Sequence, residues 1–144
     1  MIALDTNLLI YAHRPEFPFH ERAKAVLRSV AESPVAWAIP FHSLVEFAAT
    51  VSHARKFLQP SSPVQVRNQI QAWIASPSLC ILDDGPVVHQ AWLELMTESY
   101  VSGPLNHDAR LAAICMAHGV TELWTADRDY LRFPGLRSRN PLVA

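Results

Sequence analysis

Ile2-Ala3-Leu4-Asp5-Thr6-Asn7 decides how the rest of this chain is read. Three apolar residues run into an acid and two polar residues, which predicts a short buried strand ending in a polar turn at Asp5. The pattern recurs three times. Ala36–Ile39 is closed by Pro40, Leu79–Leu82 runs into Asp83-Asp84-Gly85-Pro86, and Glu122–Thr125 runs into Ala126-Asp127. A short fifth strand fits near Leu136–Arg139. The segments between carry helical spacing, with apolar residues three and four apart. Helices are predicted over Leu8–His13, Phe19–Ala31, Phe41–Phe57, Val64–Ala75, Pro86–Tyr100 and Asp108–His118, the last ended by Gly119. Strands alternating with helices imply an α/β fold: a central parallel sheet of four to five strands, right-handed crossovers and helices on its faces.

In such a sheet, ligands bind in the crevice outside the strands' carboxyl ends. Four acids fall where strands end or helices run from them: Asp5, Glu46, Asp108 and Asp127. Each has an ordinary explanation. Asp5 is a possible helix cap, although Thr6 and Asn7 are better placed for that role. Glu46 is mid-helix, where a solvated face would account for it. Asp108 opens a helix, where the dipole favours an acid. Asp127 and Asp129 suit an Asx turn. Asp83 and Asp84 read as turn and cap. Four carboxylates gathered in one crevice, however, repel one another and need a cation to stay ionised together. An all-oxygen ligand set suits Mg²⁺ or Mn²⁺. That chemistry points to metal-dependent hydrolysis of phosphodiesters. His42 and Glu46 stand four apart, but no zinc-protease motif is present.

The 144 residues fit one domain, 1–144, and half of them are apolar, enough for a layered core. There is no internal repeat, and no linker long enough to divide the chain. The formal net charge of −1 offers no global lure for a polyanion. Locally, residues 128–144 hold Arg128, Arg132, Arg137 and Arg139 against one acid, Asp129, a candidate patch for RNA phosphates. Cys80 and Cys115 both lie in apolar runs and read as buried free thiols. No secretory signal opens the chain, and no run approaches the ~18 apolar residues a membrane span needs. These features lead us to expect a cytoplasmic protein.

Taken in order and spacing, Leu4-Asp5-Thr6-Asn7, Glu46 on the third helix, Asp108-Ala109-Arg110-Leu111-Ala112-Ala113, Leu123-Trp124-Thr125-Ala126-Asp127-Arg128-Asp129-Tyr130 and Arg132-Phe133-Pro134-Gly135-Leu136 resemble a PIN-domain ribonuclease of the VapC toxin type. The resemblance spans nearly the whole chain. It implies a three-layer PIN-like fold and endonucleolytic cleavage of RNA with Mg²⁺ or Mn²⁺. It implies catalytic Asp5, Glu46, Asp108 and Asp127, with metal on Asp5, Asp108 and Asp127. Thr6, Asn7, Thr125 and Asp129 would be supporting or alternate residues. It also implies a homodimer and a cognate antitoxin of VapB type that covers the site.

Two other readings are weighed. An aspartyl phosphatase of haloacid dehalogenase type would want an acid two residues after Asp5, where Asn7 stands, and a well-placed lysine. The lysines are Lys24 and Lys56. A PIN-like binding module without turnover would have no use for the mutual repulsion of four intact acids.

Overall fold

The structure is a computed structural model and describes residues 1–143. The apolar runs become strands β1 (Ile2–Leu4), β2 (Trp37–Pro40), β3 (Leu79–Leu82), β4 (Glu122–Trp124) and β5 (Ser138–Arg139). All pairings are parallel, in the order β3-β2-β1-β4-β5. The order reverses direction between β1 and β4, so a crevice opens beyond the carboxyl ends of those two strands. Asp5 and Asp127 follow β1 and β4.

The helices are α1 (Thr6–His13), α2 (His20–Ala31), α3 (Phe41–Val51), α4 (Pro63–Ile74), α5 (Pro86–Glu98) and α6 (Leu105–Ala117), with a 3₁₀ helix at Arg128–Arg132. Period-two alternation divides the strand side chains between two cores. Leu4, Trp37 and Ile39 join Leu8, Leu27, Phe47 and Trp73 on one face, where α1 to α4 lie. Ala3, Ala38 and Leu123 join Val88, Leu95, Ile114 and Phe133 on the other, where α5 and α6 lie. The result is a three-layer α/β fold. All four residues of β2 are buried, as a parallel strand covered on both faces requires.

Two expectations need correction. Helix α3 ends at Val51 instead of continuing to Phe57. The chain turns back there, and the Ser61 amide donates to the Val51 carbonyl at 2.8 Å. The cause is Arg14, only 9% exposed. Its guanidinium donates to Ser61 Oγ at 3.1 Å, to the Gln59 carbonyl at 2.8 Å and to the Glu16 carboxylate. It also lies 4.3 Å over the Phe57 ring. A buried guanidinium needs acceptors, and a continued helix would not supply them. Cys80, for its part, is only half-buried, because β3 is an edge strand. Cys115 is buried and its thiol is pushed up to about 12 by loss of solvation, so it stays protonated. Neither cysteine forms a disulfide. Among the described residues, no helix is long and apolar enough to cross a membrane.

Replacing Arg14 by Met is therefore expected to destabilise the protein by about 1–3 kcal/mol, because the buried Ser61 loses a donor and the exposed Gln59 and Glu16 are no longer tied to α1. Urea unfolding would measure it, and proteolysis should speed up within residues 52–62. An unchanged midpoint would mean that water satisfies the loop acceptors equally well.

Candidate metal centre

The crevice is built from the ends of β1 and β4. Asp5 leaves β1 with extended backbone and caps α1. This corrects the expectation that Thr6 or Asn7 would take the cap. Its carboxylate accepts from the Thr6 amide at 2.7 Å, from Thr125 Oγ1 at 2.7 Å and from Asn7 Nδ2 at 3.3 Å. Asn7 also receives the Ala126 amide at 3.2 Å, and Thr125 Oγ1 receives the Asp127 amide at 3.0 Å. These bonds join two segments that lie 120 residues apart in the chain. Thr125 and Asn7 reach Asp5 by side chain, whereas Thr6 does so by its backbone. Burial pushes the Asp5 carboxyl up to about 6, against the pull of its bonds from Thr125 and Thr6. The charges of Glu46 and Asp127 add to the rise.

Beyond β4, Asp127 accepts from the Asp129 amide at 2.8 Å and so caps the 3₁₀ helix. That turn brings Asp129 toward α6. Asp108 sits in the first turn of α6, which begins one turn earlier than expected, at Leu105. Asp108, Asp127 and Asp129 each place a carboxylate oxygen within 4.8 Å of the others. Loss of solvation raises the Asp108 carboxyl above its ordinary value, and the charges of Asp127 and Asp129 raise it further. Tyr130, from the same 3₁₀ turn, donates to Asp108 at 3.4 Å and opposes that rise. Asp129 is thus in the group of acids that meet within 4.8 Å, while Asp5 and Glu46 are outside that group and Asp5 is linked to it through the charge of Asp127.

Glu46 is exposed on α3 and is held from outside the trio. His42, one turn earlier, pairs with its carboxylate. Arg110 Nη1 lies 3.2 Å from His42 Nδ1, and Arg110 Nη2 donates to Asp84 at 2.5 Å. A guanidinium only donates, so His42 Nδ1 accepts and Nε2 carries the hydrogen toward Glu46. The bond from His42 holds Glu46 below the usual range. Asp84 is therefore an ion-pair partner of Arg110, while Gly85 occupies the cap position of α5 without a side-chain bond. This corrects the turn-and-cap reading of Asp84; Arg110 and Tyr130 were not singled out by sequence reading. The only signal for Arg110 and Tyr130 was their place in the acid-bearing motifs.

The donor set fits a hard divalent cation. Two oxygens on an octahedral ion of the Mg²⁺ type lie about 3 Å apart when adjacent and about 4.2 Å when opposite, given ligand distances near 2.1 Å. Three carboxylate oxygens within 4.8 Å are compatible with that spacing. No thiol or imidazole belongs to the trio, which disfavours zinc.

The four candidate arginines, Arg128, Arg132, Arg137 and Arg139, are all exposed. Arg139 lies 5.7 Å from the Trp124 ring centre, and Arg137 lies 3.9 Å from Glu122. Arg128 and Arg132 have no ion-pair partner among the described residues and flank Asp129 on the 3₁₀ helix.

A parallel sheet with a switch point at β1 and β4 and an acidic cluster in the crevice defines the class, and comparison with known proteins agrees. The family model for the PIN domain matches residues 2–136, and the chain belongs to the PIN-domain family. Within that family it is similar to the VapC ribonuclease Mb2897 of Mycobacterium bovis, with 32% identity over 142 residues, 99% of this chain and 96% of the relative. The fold matches VapBC2 from Rickettsia felis, solved with a promoter DNA fragment, at a TM-score of 0.71 and 24% identity, covering 97% of this chain and 98% of that one. It also matches Mycobacterium tuberculosis VapC20, described as a toxin that cleaves the sarcin-ricin loop, at 0.66 and 16%, covering 91% and 93%.

Proposed function

We propose that this protein is a divalent-metal-dependent endoribonuclease and the toxin of a toxin–antitoxin pair. The observation that carries the reading is the meeting of Asp108, Asp127 and Asp129 within 4.8 Å. It occurs in a chain 32% identical to a VapC ribonuclease over 99% of its length. Asp108 and Asp127, with Asp129 in the same group, would hold a Mg²⁺ ion, for which Mn²⁺ would substitute. Asp5 adds charge from behind. Its Oδ1 accepts one bond, from the Thr6 amide, and keeps a lone pair for the ion or its water, whereas Oδ2 already accepts from Thr125 and Asn7. Glu46, kept ionised by His42, orients the attacking water. When bound, the ion supplies an acidified water and neutralises charge at the scissile phosphate. Mg²⁺ takes few direct carboxylates, so not every acid needs to touch it.

RNA lies along Arg128, Arg132, Arg137 and Arg139 through its phosphates, which position the strand without reading its bases. The protein acts as a homodimer held by a VapB-type antitoxin. In support, a neighbour in fold from Klebsiella pneumoniae was solved as a toxin–antitoxin complex. The antitoxin presents an Arg or Lys to the acids, since a guanidinium matches carboxylates in bidentate geometry. Its apolar segment lies in a cavity of about 1250 Å³ lined in part by Phe17 and Phe57. Phe19 is 40% exposed, whereas Phe47 is fully buried, packs on Trp73 and takes no part in this surface.

The test is purified protein on total RNA with Mg²⁺, with Mn²⁺ and with chelator, followed by sequencing of the cut ends. Metal-dependent ends at a defined set of positions are expected. Their suppression by the product of a small neighbouring reading frame, and return when its candidate cation is replaced by Ala, would support the partner. No metal-dependent ends in any RNA would overturn the reading.

A further inference from the structure

We infer that the cleft between α5 and α6 is a nucleobase subsite that takes an unpaired base of the RNA strand next to the scissile phosphate; this rests on the ribonuclease reading above. The cleft has a volume of about 340 Å³, and its lining includes Val88, His89, Trp92, His107, Arg110 and Asp84. Val88 is buried and forms apolar wall. Trp92 is partly buried, and its indole N–H donates to Asn106 Oδ1 at 3.2 Å, which holds the ring in one orientation. The rim is polar, and part of it is uncommitted. Neither imidazole, His89 or His107, has a hydrogen-bond partner among the described residues, and both are exposed. Arg110 uses Nη1 on His42 and Nη2 on Asp84, which leaves its Nε–H free.

An apolar slot with an aromatic wall and hydrogen-bonding groups on its edge matches a flat ligand that is apolar on its faces and polar on its perimeter. An unstacked base is such a ligand. Bases in single-stranded RNA are held by stacking on aromatic rings and by hydrogen bonds to their edges. An apolar peptide side chain would leave the rim groups without partners. The cleft is tied to the acids through two of its lining residues, His107 and Arg110, whose charges both act on Glu46. His107 precedes Asp108 in the chain, and Arg110 bonds the His42 that holds Glu46. A strand with its phosphate at the acids therefore has its neighbouring base at this cleft. The arginines of the 3₁₀ helix and β5 read only backbone. The subsite would supply sequence preference that they lack.

Two measurements test this. In the first, AMP, GMP, CMP and UMP are added separately to the metal-free protein, and nuclear Overhauser effects to the His89, His107 and Trp92 ring protons are recorded. At least one base is expected to show effects to these rings, and the effects should vanish in the exposed-residue variant His89→Ala or in Trp92→Leu. Effects from none of the four, or only at the carboxyl-terminal arginines, would overturn the subsite. So would occlusion of the cleft by a second copy of the chain as protein concentration rises. In the second, oligoribonucleotides with an abasic site at each position around the cut are cleaved. One abasic position should lower kcat/KM about tenfold in the wild type and have little further effect in His89→Ala. Purely additive effects would overturn the subsite even though RNA is cleaved. Absence of cleavage alongside clear nucleotide binding at the rings would instead remove the ribonuclease reading and leave the subsite standing.

Discussion

Asp108→Asn is expected to lower RNA cleavage by roughly 10³-fold, the scale on which loss of one electrostatic stabiliser of a transition state is felt. Asp108 is half-buried in the first turn of α6 and faces Asp127 and Asp129. Asn has the same shape, so no cavity opens and the Tyr130 hydroxyl keeps an acceptor. The variant loses a full negative charge where the proposed cation would sit. Asp129→Asn should fall by a similar order, although its place one step along the loop suggests a milder effect. The 3₁₀ turn brings its carboxylate into the same 4.8 Å group as those of Asp108 and Asp127. Initial rates on a fluorogenic oligoribonucleotide, with circular dichroism as the control for folding, would decide this. Near wild-type rates in Asp108→Asn would remove that residue from the site.

Asp5 should make the metal-free protein less stable as pH rises from about 4 to about 6. Its folded carboxyl is raised from an ordinary 3.8 to about 6, chiefly by burial. Between those values the folded state holds a proton that the unfolded chain has already released. Stability therefore decreases with pH across that window and levels off above it. A rise of that size corresponds to roughly 3 kcal/mol, taking about 1.4 kcal/mol per tenfold in proton affinity. Asp5→Asn should abolish the slope and stabilise the metal-free protein at neutral pH, at the cost of cleavage. Mg²⁺ should act in the opposite sense, because it selects ionised carboxylates and expels the proton. Thermal melts between pH 4 and pH 8, and calorimetry of Mg²⁺ binding near pH 6 in buffers of different ionisation enthalpy, would show both effects. A melting curve flat across pH 4–6 in the wild type, or heats of binding independent of buffer, would contradict the proposed strain at Asp5.

The strands were the most legible part of the chain. Leu79–Leu82 matches its expected limits at both ends, and β1, β2 and β4 agree to within a residue at each end. Short apolar runs stopped by Asp or Pro leave little choice: β2, covered on both faces, must be apolar throughout, and β3 at the edge is apolar as well although only Leu82 of it is buried. Helix ends were less legible. Local spacing carries α3 to Phe57, but the buried Arg14 draws residues 59 and 61 back toward α1. The acids were legible as a group and not as a geometry. Asp5 ranks beside Asp108 and Asp127 by position, while the closest trio contains Asp129.

That division has a physical basis. Hydrophobic periodicity states which face of each element is buried, and alternation of strand and helix implies parallel pairing. Together with the motifs, these sequence features determined the three-layer α/β fold and the placing of acids at the carboxyl edge of the sheet. They do not encode where side chains from distant segments meet. Tertiary structure alone decided that Thr125 would bond Asp5 across 120 residues, that Arg110 would reach His42 across 68, and that a capped 3₁₀ turn would bring Asp129 to Asp108. Such meetings depend on sheet order, helix packing and rotamer, which no local pattern specifies.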